Sequence, residues 1–180
     1  MKKKTRITLF AAFIITGIFA TIIACTKKSN PCNGITCYNL GSCDNGICSC
    51  FTGWSGTNCQ IAYNTVYGGN WTGTACNSNT SISITPSTAT PLNFTMAVPT
   101  NLIAFQPCTG SPSTVNVVCL IAVNLQGFTS DTTSYNDGCG DTYLIYASGS
   151  IASGTLTTTI TVNLTNNLPY VKSCTFTGTN

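Results

Sequence analysis

The chain contains 180 residues, of which only 6% are charged, and it has no histidine and no glutamate. Its formal net charge is +3, but four of its seven basic residues lie within the first six positions; from residue 25 onward, three lysines against four aspartates give −1. This distribution argues against binding to nucleic acid, which needs a clustered basic face. The missing residue types argue against an enzyme that uses a histidine base or a pair of glutamates.

The N-terminus has the pattern of a secretory signal. Lys2, Lys3, Lys4 and Arg6 precede an uncharged, largely apolar run of eighteen residues, 7–24, as expected for the basic and apolar parts of a signal peptide. A run of this length is also long enough to be a membrane-spanning helix, so an uncleaved signal anchor is the alternative.

The end of the apolar run favours cleavage. Its last residues, "IIAC" (22–25), resemble the lipobox of bacterial lipoproteins, in which a small residue precedes the cysteine that is lipidated and becomes the first residue of the mature chain. The resemblance implies a signal peptide over 1–24, a lipid-anchored linker over 25–29, and acyl chains such as palmitate on Cys25. It also implies a cell-envelope protein held by lipid on a membrane, the bacterial outer membrane, with the leaflet left open.

Eleven further cysteines follow Cys25. In an oxidising compartment such a number indicates disulfide bonds, whereas in the cytosol it would suggest metal binding or catalysis. A zinc site would have to be built from cysteine alone because histidine is absent. We therefore expect disulfides, with no metal and no cofactor.

Six of these cysteines lie in residues 30–60, "NPCNGITCYNLGSCDNGICSCFTGWSGTNCQ". Their spacing alone leaves fifteen connectivities. The segment resembles an EGF-like module, most specifically in C-x-C-x-x-G-W-x-x-G-x-x-C, and the resemblance implies three bridges: Cys32–Cys43, Cys37–Cys48 and Cys50–Cys59. So small a module depends on its bridges because it cannot bury enough surface to fold unaided.

The EGF-like module is expected to bind no calcium. Calcium-binding modules of that family carry acidic residues before the first cysteine and an aromatic residue between the third and fourth. Here "KSNP" (28–31) precedes Cys32, and no aromatic residue lies between Cys43 and Cys48. Because only six residues separate Cys25 from Cys32, we expect a spacer close to the lipid surface; a receptor-like contact site is the alternative.

Residues 62–180 are predicted to form an all-β domain. Threonine, valine, isoleucine and tyrosine dominate, and no helical stripe has a charged opposite face. Threonine is expected to be the outward-facing residue. Eight short strands in 119 residues favour an antiparallel barrel or a two-sheet sandwich. The predicted strands are "NWTGTACN", "SISITP", "LNFTMAV", "LIAFQ", "TVNVVCLIAVNL", "TYLIYASGSI", "GTLTTTITVNL" and "VKSCTFTGT".

Three pieces of this domain occur in a familiar order: "YGGNWTGTACN", then "GSIASGTLTTTITVNL", then "SCTFTGT". Together they resemble the small lipocalin-like β domains found behind bacterial lipoprotein signals. Gly69-Asn70-Trp71 also fits the G-x-W of the first lipocalin strand. The resemblance implies a barrel with Trp71 plugging one end, and a ligand-stacking role for this side chain is the alternative.

Five cysteines lie outside the EGF-like module, an odd number that cannot pair completely within one chain. Cys76 follows the first strand and Cys174 lies in the last, so barrel closure would bring them together. Cys108 and Cys139 lie in turn-rich loops and are predicted to pair. Cys119 lies in an apolar strand, where a thiol serves as a small buried hydrophobe, and is predicted to be free.

The only acidic cluster, "DTTSYNDGCGD", contains Asp131, Asp137 and Asp141. These are expected to be solvated turn residues rather than calcium ligands. An enzyme built on them is the least favoured of three hypotheses.

The favoured hypothesis is a membrane-anchored, non-enzymatic binding or adhesion module for a glycan or a protein. The second is a lipocalin-like carrier of a small apolar ligand. A continuous cavity lined by Phe94, Phe105, Tyr143 and Tyr146 would favour the carrier, whereas a filled interior with exposed aromatic residues would favour the binding module.

Overall fold

The computed structural model describes residues 29–102, 112–165 and 170–180. The predicted signal peptide, the lipidated Cys25 and Cys108 lie outside these residues and stay predictions. Two 3-10 helices, Tyr63–Val66 and Thr100–Leu102, occur among the described residues. The strands are β1 (Ser42–Asp44), β2 (Ile47–Ser49), β3 (Trp54–Ser55), β4 (Ile61–Ala62), β5 (Gly69–Ala75), β6 (Ser78–Pro86), β7 (Asn93–Pro99), β8 (Thr114–Ile121), β9 (Phe128–Ser130), β10 (Thr133–Asn136), β11 (Thr142–Ala152), β12 (Thr155–Leu164) and β13 (Tyr170–Thr179).

Residues 29–62, here called the disulfide region, are held by cross-links and two small hairpins. β1 pairs with β2, and β3 pairs with β4. The bridged Cα atoms lie 5.9 Å apart in Cys32–Cys43, 5.6 Å apart in Cys37–Cys48 and 5.2 Å apart in Cys50–Cys59. These are the three pairs that the resemblance to EGF-like modules implies. They stabilise a segment that is too short to build an apolar core.

The remaining strands form a closed antiparallel barrel. Strands β5 to β9 are neighbours in chain order, β11, β12 and β13 continue the series, and β13 returns to pair with β5. β9 and β10 are two parts of one interrupted strand, since both pair with β11. The result is an eight-stranded up-and-down barrel, the architecture that the resemblance to lipocalin-like domains implies. The predicted barrel is confirmed over the sandwich.

Strict alternation of side chains makes this closure favourable. In β8, Val115, Val117, Cys119 and Ile121 are buried while the residues between them are exposed. In β12 the alternation places Leu156, Thr158, Ile160 and Val162 inside and threonines outside. The prediction that threonine faces outward holds with two exceptions, Thr100 and Thr158, which are buried. The Thr158 hydroxyl donates to the carbonyl oxygen of Ser148 at 3.2 Å.

Aromatic side chains fill the end of the barrel at which β5 begins. The Tyr67 ring stacks on that of Phe94 with 5.0 Å between centroids, and Phe128 meets both rings edge-on. Trp71 is only 3% exposed, and its indole Nε1 donates to the carbonyl oxygen of Tyr67 at 2.8 Å. This is the structural, end-filling role implied for Trp71.

The cysteines of the barrel divide into bridged and free. Cys76 and Cys174 form a disulfide with Cα atoms 5.4 Å apart, across the seam where β5 meets β13. Cys119 is free and fully buried, as its apolar surroundings led us to predict. Cys139 is disulfide-bonded; its predicted partner, Cys108, lies outside the described residues.

Two strand predictions need correction. The strand predicted over 114–125 ends at Ile121, because the chain turns at once and Leu125 adopts a positive φ of 60°. The strand predicted from Leu102 begins instead as the end of a 3-10 helix, and its remaining residues are outside the description. β9 and β10 were not predicted.

Candidate binding surfaces

The interior of the barrel is packed with side chains rather than open. Of the residues proposed to line a carrier cavity, Phe94 and Tyr143 are buried within one continuous apolar core. Tyr146 faces outward and is 39% exposed, and Phe105 lies outside the described residues. Tyr143 stacks on Tyr135 with ring centroids 5.9 Å apart, so the Tyr135 ring fills the space beside Tyr143. The described interior favours the hypothesis of a binding module over that of a carrier.

An apolar groove of about 500 Å³ lies between the disulfide region and the outside of the barrel. Leu40, Phe51 and Trp54 line it from the disulfide region, and Leu92 and Leu120 line it from the barrel. Leu40 is 88% exposed, Phe51 59% and Leu120 54%. Large aliphatic and aromatic side chains gathered in one exposed concavity make this groove a candidate contact surface.

Backbone geometry makes Leu40 unusual. Asn39 and Leu40 adopt positive φ values of 50° and 63°, and the N–H of Gly41 donates to the carbonyl oxygen of Tyr38 at 2.9 Å. Two successive left-handed residues suit Asn-Gly, and leucine at the second position is strained. The chain therefore keeps a large apolar side chain exposed at a position where glycine or asparagine would cost less.

The groove has a rigid frame because the disulfide region is fixed to the barrel. The N–H of Tyr63 donates to the carbonyl oxygen of Gly53, and the Tyr63 hydroxyl donates to that of Leu125 at 3.1 Å. A Cβ atom on Gly53 would lie 2.8 Å from the ring of Pro91. The two parts approach so closely here that only glycine fits.

Asn64 is the central polar contact of this frame. It is fully buried, and its amide nitrogen lies 2.9, 3.0 and 2.6 Å from the carbonyl oxygens of Ser87, Thr90 and Asn93. Its own N–H donates to the carbonyl oxygen of Pro91 at 2.9 Å. One side chain thus holds the loop between β6 and β7 that forms a wall of the groove. The sequence analysis missed Asn64, since a lone asparagine carries no local signal of such a role.

A second surface is formed by hydroxyl groups on the opposite side of the barrel. One row crosses five strands in register, from Ser150 through Thr157, Thr177 and Thr74 to Asn79. Flanking pairs join hydroxyl oxygens across β12 and β13, at 3.3 Å in Thr159–Thr175 and 3.4 Å in Thr161–Ser173. We call this surface the hydroxyl face; its members are Ser148, Ser150, Thr157, Thr159, Thr161, Ser173, Thr175, Thr177, Thr72, Thr74, Asn79 and Ser81.

The acidic turn differs from the expectation that all three aspartates are solvated. Asp137 is only 4% exposed, and one carboxylate oxygen accepts hydrogen bonds from the N–H groups of Cys139 and Asp141 at 2.8 and 3.1 Å. It fixes the turn between β10 and β11. Burial, with the nearby Asp137 and Asp141 carboxylates, raises the pKa of Tyr143. Asp131 is exposed, as expected.

Within the described ranges, no three histidine, cysteine, aspartate or glutamate side chains come together to hold a metal ion. Burial raises the pKa of the Cys119 thiol to about 12, which keeps it protonated and unreactive at neutral pH. Residues 29–102, 112–165 and 170–180 contain no helix with the length and hydrophobicity of a transmembrane segment.

Comparison with known proteins gives no match: no protein-family model, no curated protein and no solved structure is significantly similar to this chain.

Proposed function

We propose that the chain is a membrane-anchored cell-envelope lipoprotein and that its barrel is a non-enzymatic binding or adhesion module. The observation that carries this proposal is the hydroxyl face. It offers a dense array of uncharged donors and acceptors over five strands, and such groups pair with the hydroxyls of a neutral glycan. The proposal assigns no catalytic residue and no cofactor.

The packed interior supports binding at the outer surface. A carrier of an apolar ligand needs an enclosed space of a few hundred Å³, whereas Phe94, Phe128 and Tyr67 contact one another inside this barrel. The lipocalin-like carrier is therefore the weaker proposal.

The lipid anchor is supported by the sequence, through the lipobox at residues 22–25. Metabolic labelling with a fatty-acid probe should mark the wild-type protein and not Cys25→Ser, which should accumulate as a precursor that keeps residues 1–24. Equal labelling of both proteins would show that the anchor is wrongly assigned.

Binding is tested with a glycan array and a pull-down from envelope extracts. Thr74→Val, Thr157→Val and Thr177→Val together remove three exposed hydroxyls of the central row while keeping side-chain shape. The triple variant should lose most of the signal, and Thr114→Val, which changes an exposed threonine on β8 on the other side of the barrel, should retain it. If the triple variant binds as the wild type does, the hydroxyl face is not the binding surface.

A further inference from the structure

We infer that the apolar groove faces the lipid bilayer, so that Leu40 and Phe51 enter its interfacial layer. The inference rests on the proposed lipidation of Cys25 and adds to it a second membrane contact, made by the folded part of the chain. Three features indicate that a bilayer covers the groove: the position at which the described chain begins, the chemistry of the groove lining and the distribution of charge.

The tether between the anchor and the folded region is short. The described chain begins at Ser29, and four residues after Cys25 span at most about 14 Å when extended. The chain then passes beside the β1–β2 turn, since a Cβ atom on Gly46 would lie 3.7 Å from Cβ of Pro31. The disulfide region is thus the part of the fold held nearest to the acyl chains.

The groove lies close to this point. Leu40 is four residues from Asp44, the end of β1 at the same turn, so the two lie within about 14 Å of each other. Phe51 follows β2, which pairs with β1 throughout its length. A bilayer that holds the acyl chains of Cys25 is therefore within reach of both side chains.

The groove has the chemistry of a surface that enters lipid. Its lining contains no charged residue, and the sequence has none between Asp44 and Asp131. No ionised side chain would lose its hydration when this face meets the bilayer. Trp54 lies half-buried in the lining, and tryptophan favours the boundary between headgroups and acyl chains.

The uncharged face also predicts which lipids matter. A polybasic surface requires anionic lipids and loses its affinity in salt, whereas this contact depends on apolar area. The contact should therefore form in neutral phosphatidylcholine, where Lys27 and Lys28 of the tether gain no attraction from anionic lipid.

The two tryptophans provide the test. Trp54 lines the groove, whereas Trp71 is 3% exposed inside the barrel. The lipidated protein is reconstituted into phosphatidylcholine vesicles that contain brominated acyl chains, which quench tryptophan fluorescence on contact. Wild-type emission should be quenched, and Trp54→Phe, which leaves Trp71 as the internal reference, should show little quenching.

Matched variants locate the contact. Leu40→Asn removes the apolar side chain and also suits the positive φ of 63°, so it should fold; it should lower the quenching constant about twofold by reducing the buried apolar area. Val171→Asn changes a side chain on β13 that is 62% exposed and should have no effect. Unquenched Trp54 in the lipidated protein would overturn the inference, as would Leu40→Asn quenched as strongly as the wild type.

The same samples separate this inference from the proposed function. The intact mass of the mature chain shows whether Cys25 carries acyl groups. A lipidated chain with unquenched Trp54 overturns the bilayer contact alone, whereas an unlipidated chain overturns the anchor on which it rests. Concentration-dependent dimerisation in detergent that is abolished by Leu40→Asn, with no quenching in vesicles, would assign the groove to a second copy and overturn the inference.

Discussion

Replacing Asn64 tests whether one buried amide holds the disulfide region, the β6–β7 loop and the groove together. The amide has two hydrogens and faces the carbonyl oxygens of Ser87, Thr90 and Asn93. A typical internal hydrogen bond stabilises a protein by a net ~1 kcal/mol, and a buried acceptor left without a donor costs ~1–3 kcal/mol. The carbonyl oxygens of Thr90 and Asn93 also accept backbone hydrogen bonds, from the N–H groups of Asn93 and Ser87 respectively. The carbonyl oxygen of Ser87 is therefore the acceptor that loses most when the Asn64 amide is removed.

Asn64→Ala should therefore lower the free energy of unfolding by about 3–5 kcal/mol, of which two lost hydrogen bonds contribute ~2 kcal/mol and one unsatisfied carbonyl ~1–3 kcal/mol. Asn64→Asp keeps the size but places a carboxylate against carbonyl oxygens at a fully buried position, and the loss at pH 7 should reach about 3–5 kcal/mol. Burial and the facing carbonyls raise the pKa of such a carboxyl above its unfolded value, so the folded state binds more protons. The loss in Asn64→Asp should accordingly shrink as the pH falls toward about 4.

Urea unfolding followed by tryptophan fluorescence measures these losses, and hydrogen exchange locates them. The amide hydrogens of Ser87 and Asn93 should exchange faster in Asn64→Ala, while those of β12 should lose protection only by the global change. If Asn64→Ala unfolds within 0.5 kcal/mol of the wild type, a window typical of surface substitutions, and if the loop stays protected, the role assigned to Asn64 is wrong.

Three further predictions concern the barrel. Gly149→Ala would place a Cβ atom 2.8 Å from the ring of Phe128 and should cost about 1–3 kcal/mol in urea unfolding, which an unchanged midpoint would contradict. Replacing both Cys76 and Cys174 by alanine opens a bridge across 98 residues and should cost roughly 3–5 kcal/mol; a loss below 1 kcal/mol would show that the seam needs no bridge. Because its pKa is raised to about 12, Cys119 should stabilise the fold fully below about pH 8.5 and lose this contribution as the pH rises toward 12. Folded protein should resist alkylation at pH 8, and rapid labelling without denaturant would refute this.

Much of the fold could be predicted because it is encoded in local alternation. β12 was recognised nearly to its ends, since apolar residues and threonines alternate from Thr155 to Leu164. The bridges of the disulfide region were implied by the resemblance to EGF-like modules, because the cysteine spacing alone leaves fifteen connectivities.

The errors arise where a turn has no distinct composition. Apolar residues continue past Ile121 through Val123 to Leu125, although the N–H of Leu125 donates to the carbonyl oxygen of Ala122 and closes a turn. β9 and β10 are short and lie among Gly, Asp and Asn residues that indicate a loop. They form strands because β8 and β11 leave one open position between them in the barrel. A short stretch of sequence carries no information about that position.

The candidate surfaces were harder to predict because distant residues build them. Asn64 contacts carbonyls 23 to 29 residues away, and Leu40 and Leu120 line one groove only because the disulfide region lies against the barrel. Sequence composition indicates that both faces lack charge, but it does not indicate which uncharged residues gather into a groove.

The topology relates the two proposed surfaces to each other. In the ring of eight strands, β13 and β8 are four positions apart and therefore lie on opposite sides of the barrel. The hydroxyl face is centred on β13, whereas Leu120 carries the groove on β8. A bilayer against the groove directs the hydroxyl face away from the membrane, toward any glycan or protein in the surrounding space. Because Tyr63 and Asn64 fix the disulfide region to the barrel, this orientation is set by the fold rather than by the length of the tether.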